Sequence, residues 1–328
     1  MLSRVADSVY WMNRYVERAE NVARFIDVNH NLTLGDGSGL DDQWAPLIYI
    51  TGDQVEFEQL YGDYGRDNIL RFLVFDDRNP NSILSCVAKA RENARTVREV
   101  ISLSMWEQLN KFYLLMRAAA AQPAEALRSP YEFCEQVKLA SHTLVGVTYS
   151  TMSHGEAWHF GRLGRLIERA DKTSRIVDVQ YFVLLPTAQD VGTSLDVVRW
   201  SALLKSATAL EMYRREHGRI VPENVANFLL LNRYFPRSVH FCLIHSQESL
   251  REISGSHRDT FRNRSEQILG RLRADLDYTR IEDVVKHGIH EFIDDLQQRL
   301  NDLGAAIRDD FFTTSRQEQS GGGMRQIQ

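Results

Sequence analysis

The sequence predicts an all-α protein, an internally duplicated helical bundle whose two halves are related by a pseudo-twofold axis. Three observations predict it. First, the stretch from Arg165 to Val179 is a second copy of the stretch from Arg14 to Val28. Shifted by 151 residues, Arg14, Glu17, Arg18, Ala19, Arg24 and Asp27 recur as Arg165, Glu168, Arg169, Ala170, Arg175 and Asp178. Second, after an insertion the register becomes 156 and pairs Trp44 with Trp200, Pro80 with Pro236, Cys86 with Cys242, Glu92 with Glu248 and Arg95 with Arg251. A period this long is a domain-scale duplication and not a solenoid unit. Third, apolar residues recur at helical spacing along the chain, with no pair of alternating strand patterns. The expected layout is a first half over 1–152, a second over 153–314, and a polar, Gly-rich disordered tail over 315–328, the two halves forming one compact unit.

Ser3 is suited to cap a first helix reaching about Asn29. Tyr15, Val16, Ala19, Val22, Ala23 and Ile26 share one face of it, while Arg14, Glu17, Arg18, Asn21 and Arg24 fall largely on the other. Thr33 to Asp42 carries three glycines and reads as a loop, and its GDGSG lacks the Lys-Ser/Thr that a phosphate-binding loop needs. Short helices follow around Trp44 and Phe57, broken by Tyr61 to Gly65, and another runs from Asp67 to Phe75. The turn through Pro80 delivers Ser82 as cap of a long helix, expected to continue past Trp106 and Tyr113 to Ala121, where Pro123 ends it. Tyr131 to Met152 closes the first half. Ser153 opens the second as Ser3 opens the first, Pro186 ends its leading helix, and a long last helix is expected from about Arg280 to Phe311.

The chain has 328 residues, 25% of them charged, and a net charge of −5, so nothing in its balance favours nucleic acid as a partner. Three cysteines, Cys86, Cys134 and Cys242, are odd in number, lack zinc spacing and lie in apolar helical runs. They read as buried free thiols in a reducing compartment. No leader-like opening is present, and no apolar run approaches the roughly 20 residues of a membrane helix, so a cytoplasmic location away from membranes is expected.

The duplicated helices carry two charge sets: Arg14, Glu17, Arg18 and Glu20 in one, Arg165, Glu168, Arg169 and Asp171 in the other. Arginine forks on such a helix face can hold a carboxylate or phosphate, or can simply pair with the carboxylates across the interface and keep the halves in register. Both readings stay open. Glu17, Glu20, Glu168 and Asp171, with Glu92, His154 and Glu156, are the candidates for acid–base work; Arg14, Arg18, Arg165, Arg169, Arg95 and Arg251 are the candidates for ligand or partner binding. Glu168→Gln is expected to leave the chain folded and weaken its function. His154, Glu156 and His159 have ligand chemistry but poor metal spacing, and His287, His290, Glu291 and Asp294 read as a solvated helix face, so no metal site is assigned. No nucleophile elbow, phosphate loop or dinucleotide fingerprint occurs, and no cofactor is implied by a motif.

The opening MLSRVADSVYWMNRYVERAENVAR, the ARENARTVRE segment, SHGEAWHFGRLGRLIERADKTSR and FPRSVHFC together resemble the bacterial alpha-E family over Met1 to Phe312. The resemblance implies a place beside a circularly permuted ATP-grasp ligase-like protein and a transglutaminase-like peptidase, in a system that forms or trims peptide or amide bonds. Three roles fit: a helical component that binds the ligase or its peptide substrate, with ATP held by the ligase; an enzyme using Glu, Arg and His on an amide; or a scaffold. The family's glutamates would map to Glu17, Glu20, Glu92 and Glu168, with Asp171, one methylene shorter, where another is expected.

Overall fold

A computed structural model describes residues 1–35, 44–182, 194–258 and 260–313 of the chain. Among these residues the protein is all-helical: α1 (Ser3–Gly35), α2 (Ala45–Thr51), α3 (Gln54–Leu60), α4 (Arg66–Val74), α5 (Ile83–Thr96), α6 (Leu103–Ala121), α7 (Pro123–Ala126), α8 (Pro130–Thr151), α9 (Glu156–Phe182), α10 (Ser194–Ser206), α11 (Leu210–His217), α12 (Pro222–Leu231), α13 (Val239–Ser254), α14 (Arg264–Tyr278), α15 (Ile281–His287) and α16 (Ile289–Ile307). A π-helical turn, Arg308–Phe312, follows α16.

Several boundaries differ from expectation, each for a local reason. Ser3 lies inside α1 and does not precede it; the Leu2 carbonyl accepts the N–H groups of Val5 and Ala6. The helix continues past Asn29 to Gly35, so Thr33 to Gly35 is helical, while the rest of that expected loop, Pro186 and the expected tail lie outside the described residues. The expected long helix from Ser82 is two helices. Ser82 caps α5 as anticipated, its hydroxyl accepting from Ser85 N at 3.1 Å. Thr96, Val97, Val100 and Ile101 then concentrate β-branched side chains, which lose rotamer freedom in a helix, and Ser102 restarts it as α6 by accepting from Met105 N. Pro123 opens α7, where its missing N–H costs nothing. The expected final helix breaks at Gly288, whose φ of +113° a residue with a Cβ would resist.

α1 and α9 lie side by side at the centre. Their side-chain bonds, Arg14 to Glu168, Arg18 to Glu168 and Arg169 to Glu17, link residues separated by 154, 150 and 152 positions. Contacts spread along the pair advance together, Met1 with Glu156, Tyr10 with Gly164 and Arg18 with Glu168, so the two helices run parallel. Close approach is set by glycine: a Cβ on Gly164 would lie 2.4 Å from the Tyr10 carbonyl oxygen, and one on Gly161 would lie 2.6 Å from Asn13 Nδ2. α1 packs on α5 and α8, and α9 packs on α13 and α16. Two apolar clusters result, one mostly from α1–α8 and one mostly from α9–α16. Each borrows an aromatic from the other side, Phe160 in the first and Tyr10 in the second.

The three cysteines are free and buried, as the sequence indicates, and burial pushes the thiols of Cys86 and Cys242 up to about 12. Among the described residues no helix is long and apolar enough to cross a membrane.

Candidate functional site

With apolar residues of α1 and α9 taken up by the two cores, the polar residues of both helices are left facing each other between them. Hence these charged residues are buried: Glu17 is 1% exposed, Glu20 and Glu168 0%, Arg24 4%. Burying such charges is costly unless they are answered. Glu168 accepts from Arg14 Nε at 2.9 Å and from Arg18 Nε and Nη2 at 2.7 and 3.0 Å. Glu17 is held in the reciprocal way by Arg169, whose Nε and Nη2 donate at 2.9 and 2.7 Å. Burial opposes ionisation of each, but the neighbouring arginines outweigh it, Arg18 and Arg14 at Glu168 and Arg169 and Arg237 at Glu17, holding both carboxyls below the usual range.

The second acid of each set behaves alike. Glu20 accepts from Arg24 Nη2 at 2.7 Å, from Ser141 Oγ at 2.5 Å and from Arg237, and its carboxyl is held well down despite burial. Asp171 pairs with Lys172 at 3.3 Å and with Arg175 at 3.1 Å. Together these groups form a charge clasp between the halves.

On the Glu17 side the clasp opens into a cleft of about 790 Å3. α8 contributes His142 and Tyr149, α9 contributes Arg162, Arg165 and Arg169, and α13 contributes Phe241 and His245. Arg24 of α1 and Arg237 complete the floor. Arg237 gets there because the turn before α13 is pinned by Ser238, which caps the helix by accepting from Phe241 N at 3.1 Å. Thr208, at φ +50° the one described non-glycine residue in the left-handed region, also lines the cleft and accepts from Arg24 Nη1 at 2.5 Å. None of the described residues lining the cleft is acidic. Arg165 is half-buried, and its enclosed Nε has no hydrogen-bond acceptor among the described residues. Burial, with Arg169 acting in the same direction, pushes its pKa down to about 10. On the Glu168 side the opening is smaller, about 170 Å3, bordered by Arg14, Arg18, Asp171 and Arg175.

The structure thus brings Glu17, Glu20, Arg165 and Arg169 together at one opening, and Arg14, Arg18, Glu168 and Asp171 at the other. His154 reaches the rim of the larger cleft, stacked on Trp158 with ring centroids 4.2 Å apart. The other candidates stay apart. Glu92 and Arg95 form an exposed pair at 2.6 Å, Glu156 binds the α-amino group of Met1 at 2.9 Å, and Arg251 donates to the Arg258 carbonyl. Sequence reasoning missed Arg24, Arg162, Arg237, His142 and His245 as site residues. Arg24 was visible as a member of the repeated set, and Arg237 as the charge standing where the first half has Asn81. The histidines gave no signal. His290, expected on a solvated face, instead reaches Asp178 of α9 at 2.7 Å, and Asp294 lies 3.6 Å from its other nitrogen. Asp178, His290 and Asp294 are close enough to share an ion, and their contacts with one another account for the grouping.

The chain matches, over residues 1–312, the family model for alpha-E, described as a predicted alpha-helical domain with a conserved ER motif, and it belongs to that family. The chain contains two Glu–Arg dipeptides, Glu17–Arg18 and Glu168–Arg169, and they are the crossed pairs of the clasp. Uncharacterised proteins of Mycobacterium bovis and Mycobacterium tuberculosis are 23% identical over 327 residues, which is 93% of this chain and 36% of theirs. The chain therefore spans about a third of the length of the curated relatives it matches. No solved structure matches it.

Proposed function

We propose that the chain is a non-catalytic helical component that receives an anionic group in the arginine-lined cleft and presents it to an ATP-grasp ligase-like partner within a peptide or amide-bond modifying system. The observation that carries this reading is the division of labour between the charges: the glutamates are committed to arginines, while Arg165 faces the cleft with no carboxylate of its own among the described residues. A general acid or base works best with a pKa near the working pH. Glu17, Glu20 and Glu168 are all held in the opposite direction, which favours binding over chemistry by the chain itself. That the curated relatives extend well beyond the matched region supports a module that works joined to other protein.

We also infer that the two halves arose by duplication. The offsets of 150 to 154 across the central helices straddle the sequence register of 151, which is what parallel copies about an axis along the helices produce. The test of the function is co-purification with the ligase-like protein, followed by ATP consumption with and without the chain. Association together with altered ATP turnover, both weakened by Arg165→Ala, is the expected result. Absence of both association and any effect removes the partner role.

A further inference from the structure

At the floor of the cleft four guanidinium groups, those of Arg24, Arg165, Arg169 and Arg237, meet two carboxylates, Glu17 and Glu20. Among the described residues, four cations against two anions leave two positive charges unanswered. The surplus is concentrated: Arg169 Nε and Arg237 Nη1 both donate to Glu17 Oε1, at 2.9 and 3.1 Å, and Arg24 and Arg237 converge on Glu20 Oε1. Arg162 at the rim does not add to it, because it is paired with Glu248 at 3.2 Å. Arg165 carries the surplus most plainly, its enclosed Nε lacking an acceptor. Burial first, and then the neighbouring arginines, push Arg237 as well as Arg165 down to about 10 against the pull of Glu17 and Glu20.

We infer that the cleft binds a phosphate monoester, with Arg165 as the arginine reserved for its dianionic head group. This rests on reading the cleft as a binding site. A phosphate monoester places nearly two negative charges on three oxygens around one atom, and guanidinium forks match that arrangement bidentately. Two separate carboxylates would spread the same charge over a longer span than the convergence on Glu17 and Glu20 provides. The cleft, at about 790 Å3, is in the size range of small-molecule sites, so the head group belongs to a larger molecule whose body lies along Leu166, Phe235 and Phe241.

Calorimetric titration of the full chain, without any partner, tests this using phenyl phosphate, AMP, benzoate and glutamylglutamate. Phenyl phosphate or AMP is expected to bind more tightly than both carboxylate probes. Preference between the two esters separates a nucleotide source from other phosphate esters, and either preference supports the assignment. Affinity for phenyl phosphate is expected to rise as pH is raised through about 6, where the ester gains its second charge. His142, His154 and His245 face the same cleft, no side chain there gains positive charge as pH rises, and Glu17 and Glu20 are already ionised, so a rise comes from the ligand. Arg165→Met is expected to weaken ester binding about tenfold or more. It should also leave the unligated unfolding midpoint unchanged or higher, because an unanswered cation has been removed. Absence of ester binding, equal or tighter binding of glutamylglutamate, a flat pH profile, or full affinity in Arg165→Met overturns the assignment. If Arg165→Met does not fold, the pH profile of the unaltered chain decides alone. Ester binding without ligase association would leave this inference standing and remove the partner role; the reverse pattern would do the opposite.

Discussion

Glu168 shows how far burial changes what a residue is for. The sequence presents it as a group whose loss would spare the fold, because helical periodicity puts it on a polar face and says nothing of what covers that face. In the structure it is fully enclosed and bonded to both Arg14 and Arg18. Glu168→Gln therefore strands two half-buried cations around a fully buried position, and a loss of about 3 kcal/mol in chemical denaturation is the expected outcome. Glu92→Gln, at an exposed pair, is the matched control and should not move the denaturation midpoint. A midpoint equally insensitive to both changes would deny the clasp its structural role. Acid should dismantle the same contacts. Glu17, Glu20, Glu168 and Asp171 all have folded-state carboxyls depressed below their ordinary values of 4.5 and 3.8, so their contribution is complete above those values and is lost as pH falls through the depressed ones. The unfolding midpoint should fall from about pH 5 downward, and more shallowly in the Glu17→Gln, Glu168→Gln double variant than in the parent.

At the scale of elements, what decides the centre of the molecule is how closely α1 can approach α9. Gly164 faces the backbone of Tyr10, which cannot turn aside as a side-chain tip can. Gly164→Ala should cost about 1 to 3 kcal/mol even though alanine is the better helix former. Gly146→Ala in α8, where nothing lies within 4 Å of the added carbon, should be neutral or gain about 0.5 to 1 kcal/mol. Comparable thermal midpoints for the two variants would show that the approach of the helices is not limiting. The helices themselves were legible because their apolar residues recur at the right spacing, and Ser82 was legible as a cap. The interruptions at Val97 and Gly288 were not. A single turn of β-branched residues or one glycine is a small local preference, and it decides a helix only where packing gives the chain a reason to bend.

For the whole molecule, the recurrence of Arg14, Glu17 and Arg18 as Arg165, Glu168 and Arg169 was enough to anticipate that α1 and α9 meet, since identical spacing of opposite charges suits crossed pairing. Which side of that pairing would open could not be read, because it depends on residues outside the two similar stretches. His142 comes from α8, Thr208 from the turn before α11, and Arg237 replaces the Asn81 of the first half, so the cleft is assembled from differences between the halves and not from their likeness. One consequence concerns chemical labelling. Cys86 and Cys134 lie in the first apolar cluster and Cys242 in the second, all sealed from solvent and with thiols shifted away from the reactive thiolate. An alkylating reagent therefore meets nothing in the folded chain and reports only openings. If the crossed charges and exchanged aromatics make both clusters open as one event, the three sulfurs should be modified at a single rate in dilute urea, resolved by peptide mass spectrometry. Weakening the clasp by Glu168→Gln should then speed all three together, whereas faster modification of Cys242 alone would mean that the two clusters open as separate units.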